Sequence, residues 1–150
     1  MKLYGGIDLH SNNSVIHIID EQGVSQLKKK VANDLVTILA LLKPFQDELT
    51  GLVVESTYNW YWLVDGLMEA EFEVHLANTA AIQQYSGLKY GDDDSDANWL
   101  ANMLRLAILP TGYIYPKEAR MQRDLLRKRM QLVQQKTANM LSIQGMYDRH

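Results

Sequence analysis

The chain has 150 residues, no cysteine, 47% hydrophobic and 22% charged residues, and a formal net charge of −3. Such proportions describe an ordinary soluble domain, which at this length hides about 70% of its unfolded surface. They exclude a disulfide scaffold and any thiolate metal site. No signal-peptide pattern follows Met1-Lys2, and no apolar run reaches the roughly 18 residues of a membrane span, so the expected setting is cytoplasmic, with no membrane partner.

Leu3 to Leu9 (LYGGIDL) has the apolar content of a buried strand. Ser14 to Asp20 (SVIHIID) alternates and is β-branched, and Glu21-Gln22-Gly23 is a turn signal. Val24 to Val31 (VSQLKKKV) completes a predicted three-stranded antiparallel meander, its lysines suiting a sheet edge. Asn33 is the expected cap of a helix with Leu35, Ile38, Leu39 and Leu42 at helical spacing. Gly51 to Val54, ending on Glu55, is a buried strand, Tyr58 to Ala70 an amphipathic helix, and Glu73 to Ala77 a further strand. This alternation predicts parallel pairing through right-handed crossovers.

Residues 86–92 read as a loop and Asp93 to Leu109 as a helix, broken by Pro110-Thr111-Gly112. Tyr113-Ile114-Tyr115 has the composition of a short strand. From Pro116 onward the pattern is one long helix, with proline at a favoured first-turn position. Leu126, Met130, Val133, Thr137 and Met140 step by 4, 3, 4 and 3, a heptad seam that predicts pairing with another helix. The helix is still running, or just fraying at Gly145, where the chain ends, which suggests the edge of a fragment rather than a finished C-terminus. The expected division is a domain over residues 1–115 and a helical extension over 116–150.

Charge follows that division. Residues 1–116 carry 7 Lys+Arg and 15 Asp+Glu, a balance of −8; residues 117–150 carry 8 and 3, a balance of +5. The basic segment suits phosphate contact by Arg123, Arg127, Lys128, Arg129 and Lys136, or equally a solvated helix face.

Four carboxylates stand out by position. Asp8 lies within the first apolar strand, where a carboxylate is costly unless paired, hydrogen-bonded or bound to a cation. Glu55 ends a buried, parallel-type strand, the side of an open α/β sheet where ligands bind. Asp93 and Asp96 share a helical face with Ala97, Leu100, Ala101 and Leu104, so both aspartates sit at the top of a face that packs inward. Each has a plain structural alternative: a capped aspartate, a solvated strand end, and an acidic helix start flanked by Asp92 and Asp94. A calcium loop starting at Asp92 fails, because its sixth position is Ala97 and its twelfth Met103. If the strands of Asp8 and Glu55 are neighbours, all four carboxylates can converge at one sheet end. Such hard oxygen donors suit magnesium or manganese, and paired ions assist phosphodiester chemistry. His10, His17, His75 and His150 have no zinc spacing. His10, two residues beyond Asp8 on the same strand face, is placed for a substrate contact or for a structural one. Tyr58, Trp60, Tyr61 and Trp62 suit core packing better than base stacking.

In that order, Gly6-Ile7-Asp8-Leu9-His10, then Val53-Val54-Glu55-Ser56-Thr57 with Tyr61, Leu63 and Leu67, then Lys89 and Asp93-Asp94-Ser95-Asp96-Ala97 with Leu100-Ala101, and finally the basic helix around Arg127-Lys128-Arg129, resemble the N-terminal part of the IS110-type (DEDD, Piv/MooV-like) transposases. The likeness spans nearly all of residues 3–145. It implies an α/β RNase H-like (RuvC-like) fold with a mixed sheet, three antiparallel strands then parallel ones, helices on both faces and a long C-terminal helix. It further implies magnesium-dependent DNA cleavage and strand transfer by a tetrad carried over to Asp8, Glu55, Asp93 and Asp96, with manganese as a substitute ion. The segment between Lys89 and Asp93 is longer than the family's usual K-x-D spacing, so Asp92 and Asp94 stay open as alternatives to Asp93. Implied partners are DNA and a structured guide RNA; the heptad seam, separately, predicts a homodimer or higher homo-oligomer through the C-terminal helix. Family members also have a C-terminal domain whose serine attacks DNA; without it, this chain is expected not to complete recombination. Two other readings stand beside this one: a non-catalytic docking and dimerisation module, and an actin-like phosphotransferase, whose glycine-bearing phosphate loop Leu9-His10-Ser11-Asn12 lacks.

Overall fold

The structure, a computed structural model, describes residues 1–82 and 93–149, with the side chains of residues 93–95 outside that description. The chain divides into two compact units, Met1–Tyr113 and Ile114–His150.

The first unit is built on a six-stranded sheet. Its strands are β1 (Leu3–Leu9), β2 (Asn13–Asp20), β3 (Ser25–Ala32), β4 (Leu49–Glu55), β5 (Val74–Ala77) and β6 (Thr111–Gly112). The order across the sheet is β3-β2-β1-β4-β5-β6. The first three strands form the antiparallel meander, β4 pairs parallel with β1, and β5 parallel with β4. β6 adds a short antiparallel edge against β5. The β2–β3 turn is held by Asp20, whose carboxylate accepts from the Gln22 and Val24 amides and the Gln26 side chain, while Gly23 takes a positive φ of 83°.

Helices α1 (Leu35–Leu42), α2 (Tyr61–Glu69), α3 (Thr79–Ile82) and α4 (Asp93–Arg105) complete the unit. α4 lies on β1, β2 and β4. Because side chains alternate along a strand, one row faces α4 and the next faces away. Gly6 and Gly51 face α4: a β-carbon on Gly6 would meet the Ala97 carbonyl, and one on Gly51 would touch Leu104. Val53, two residues beyond Gly51, packs with Leu100 and Met103 of α4. Leu3, Ile7 and Leu9 alternate with that row and are buried, as are Ile38 and Leu42 of α1 and Leu63 and Leu67 of α2.

Several boundaries differ from the sequence expectation, each for a local reason. Asp34, not Asn33, caps α1, accepting from the Thr37 amide at 2.8 Å. α2 starts at Tyr61 rather than Tyr58, its first turn closing with the Val64 amide on the Trp60 carbonyl at 3.1 Å. α4 stops at Arg105 rather than Leu109. Ala107 takes a positive φ of 56°, the Ala107 amide bonds the Leu104 carbonyl and the Ile108 amide bonds the Met103 carbonyl. That is a Schellman closure built on alanine instead of glycine. The last strand is Thr111–Gly112, earlier than Tyr113–Tyr115, because the chain is tied to β5 directly after Pro110, whose carbonyl accepts from the Asn78 amide at 2.8 Å. α3 was not foreseen. The expected loop at 86–92 lies outside the described residues.

The second unit contains α5 (Lys117–Tyr147), one helix of 31 residues that begins after Pro116. Its seam residues Leu126, Met130, Val133 and Met140 are all exposed. No described helix is long and apolar enough to cross a membrane.

Candidate functional site

β1 delivers Asp8 to the C-terminal end of the sheet's interior. It is the only carboxylate besides Asp20 among the buried residues described, with 3% of its surface accessible. Asp20 is satisfied by its turn; Asp8 is not, for its Oδ2 is buried and accepts no hydrogen bond. His10 Nε2 stands 3.2 Å from that oxygen, within ion-pair range when the imidazole is protonated. A buried carboxylate oxygen without a hydrogen bond is costly, which makes Asp8 the polar group in the core most in need of a cation or donor.

β4 brings Glu55 alongside. The parallel register pairs Gly6 with Val53 and Ile7 with Val54, so Asp8 and Glu55 each stand one residue past the last registered pair. Both belong to the row that faces α4. On α4, Ala97 and Ala101 are fully buried and Leu100 nearly so, as the inward face requires. Asp96 is half-buried in the first turn of that helix, immediately before Ala97, whose carbonyl sits over Gly6. Asp8, Glu55 and Asp96 are therefore brought to one end of the sheet on one side. They do not form a ready-made metal cage: among the described residues no three His, Asp or Glu side chains lie close enough to hold an ion. The side chains of Asp93 and Asp94, and residues Asp92 and Lys89, lie outside that description.

The turn that follows Asp8 is braced by a residue that the sequence reading assigned elsewhere. Asn33 donates to the His10 carbonyl at 2.8 Å, accepts from Ser14 Oγ at 2.7 Å, and its amide bonds the Asn12 carbonyl at 3.3 Å. Asn33 thus fixes the turn beside Asp8 instead of capping α1. Its position between a strand and a helix signalled a cap, and nothing local distinguished it from Asp34. Of the four aromatics after Glu55, Trp60 is buried and stacks edge-on against Tyr61 at 4.5 Å, whereas Tyr58 remains 88% exposed.

The basic candidates all lie on α5. Arg127, Lys128, Arg129 and Lys136 are exposed, with Lys128 bonded to Gln131 at 3.0 Å. Arg123 is turned to its own unit, over the Tyr115 ring at 4.9 Å and 3.6 Å from Asp124.

A family model for transposases of the IS110 DEDD type matches residues 5–150. No curated protein sequence matches the chain. Among solved structures, T. thermophilus RuvC in complex with Holliday junction substrate is similar, with a TM-score of 0.53 and 11% identity over 75% of this chain and 100% of that one. At that identity the likeness is one of fold: a RuvC-like sheet with its helices.

Proposed function

This chain belongs to the IS110 DEDD transposase family, and on that premise we propose that Asp8, Glu55, Asp93 and Asp96 hold one or two divalent cations, magnesium or manganese, and cleave and transfer DNA strands. The observation that carries the reading is Asp8: a carboxylate on an interior strand, 3% exposed, with an Oδ2 that accepts no hydrogen bond. The donor set is all carboxylate, which suits a hard cation. When bound, such an ion would offset the mutual repulsion of the carboxylates and polarise phosphodiester oxygens.

The chain's own residues divide the remaining work. Asp8 is held by the sheet and by the turn that Asn33 braces, so its carboxylate is the fixed member. Glu55 stands at a strand end and Asp96 in the first turn of α4, and both are proposed to complete the set with Asp93. His10, whose Nε2 stands 3.2 Å from Asp8 Oδ2, either steadies that carboxylate or contacts a substrate phosphate.

DNA is the proposed substrate, consistent with the DNA bound in the RuvC complex. A guide RNA and a second copy joined along the α5 seam belong to the same proposal, with Arg123, Arg127, Lys128, Arg129 and Lys136 as phosphate contacts. Calorimetry with manganese tests the site: wild type should bind, and Asp8→Asn and Glu55→Gln should each bind at least tenfold more weakly while keeping their circular dichroism. Equal binding in all three would favour a docking module with an inert acidic end.

A further inference from the structure

The sheet register carries a second feature to the same end of the molecule. β3 is an edge strand, and Lys28, Lys29 and Lys30 on it are all exposed. They are three of the seven cationic residues among residues 1–116, a stretch whose net charge is −8. Directly opposed residues of antiparallel strands point to the same face. Asp8 pairs with Val15 and Val15 with Lys30; Gly6 pairs with His17 and His17 with Lys28. Lys28 and Lys30 therefore stand on the α4 side, in the rows of Gly6 and Asp8. Lys29 pairs with Ile16, which pairs with Ile7, and stands on the opposite side. Two interstrand steps put the backbone of Lys30 about 10 Å from that of Asp8.

We propose that Lys28 and Lys30 form the track for the phosphodiester backbone of the DNA strand whose reacting phosphate enters at Asp8. The inference rests on the reading of that site as a phosphodiester-cleaving one. An acidic sheet end repels an incoming polyanion, and cations set about three nucleotides of helical rise to one side offset that repulsion. Edge lysines also guard a sheet against pairing with another strand, but that protection acts along the backbone edge and makes no distinction between faces. Face dependence therefore separates the two roles.

The test is DNA binding by the full chain to a short duplex, followed by fluorescence anisotropy between about 50 and 200 mM salt, with chelator present so that no cation at the carboxylates contributes. Lys28→Gln and Lys30→Gln should each lower the slope of log affinity against log salt by about 0.9, and the double variant by about twice that. Lys29→Gln should leave the slope at its wild-type value. Equal effects of all three lysines, no effect of any, or an effect seen with single-stranded RNA but not with DNA would overturn the proposal. Manganese binding should be unchanged in the double variant; since the cleavage site is tested by manganese and the track by salt dependence, failure of one is distinguishable from failure of the other.

Discussion

A β-carbon on Gly6 would clash with the carbonyl oxygen of Ala97 and stand 2.9 Å from the amide nitrogen of Ala101. Strand β1 and helix α4 meet there backbone to backbone, and this approach brings the turn bearing Asp96 over the strand bearing Asp8. Glycine within a strand is otherwise unfavourable, and close backbone approach is what accounts for it. Gly6→Ala should destabilise the protein by about 1–3 kcal/mol or more, because neither clashing group is a side chain that can swing away. The three atoms nearest a β-carbon on Gly66 in α2 all belong to the Leu35 side chain, which can shift, so the cost of Gly66→Ala should be smaller. Urea unfolding of the two variants checks the order; a Gly6 variant as stable as wild type would contradict the packing of α4 on β1.

Ala107 and Glu71 close α4 and α2 with positive φ angles of 56° and 64°. A left-handed backbone costs a residue with a β-carbon about 1–2 kcal/mol, part of which glycine gives back through its freer unfolded chain. Ala107→Gly and Glu71→Gly should therefore each raise stability, by up to about 1 kcal/mol, with a higher urea midpoint as the readout. Destabilisation by both would show that these helix ends are not closed in this way.

Asp20 sets the acid limit of the β2–β3 turn. The Val24 amide above all, with the Gln22 amide and the Gln26 side chain, holds its carboxyl below the ordinary aspartate range, against the opposing effect of burial. A carboxyl depressed in the folded state stabilises above its unfolded pKa, and that contribution is lost as pH falls through the folded one. Wild type should thus lose stability from about pH 4 downward. Asp20→Asn should start less stable at pH 7 and show a flatter decline over the same range. Parallel pH profiles would contradict the role of the carboxylate.

The exposed seam of α5 makes a separate prediction. Leu126, Met130, Val133 and Met140 lie uncovered along one helix, and a heptad stripe of this kind is stabilised by a partner helix. Sedimentation of the wild type should show concentration-dependent dimers, and Met130→Lys with Val133→Lys should weaken association at least tenfold. A wild type that stays monomeric at all concentrations would remove the seam from the account.

Much of this is legible in the amino-acid sequence. Alternation in Ser14–Asp20 and apolar content in Leu3–Leu9 and Leu52–Val54 mark strands because a half-buried or buried sheet requires those patterns. The face shared by Asp96, Ala97, Leu100 and Ala101 follows from helical spacing alone, and Ala97, Leu100 and Ala101 are indeed buried. What escaped depends on distant partners. Asn33 could be recognised as a brace for the His10 carbonyl only once the β1–β2 turn was folded beside it. The early end of α4 turns on an alanine accepting a conformation that glycine usually fills. The two-sidedness of Lys28, Lys29 and Lys30 needs the register of three strands, which spacing within one strand does not contain.

Anomalous diffraction from a manganese-soaked crystal tests the central claim most directly. The account expects a manganese peak at coordination distance from Asp8 Oδ2, with Glu55 and at least one of Asp93 and Asp96 drawn to the same ion. A crystal that binds manganese elsewhere, or shows Asp8 Oδ2 satisfied by a protein donor with no peak beside it, would contradict it.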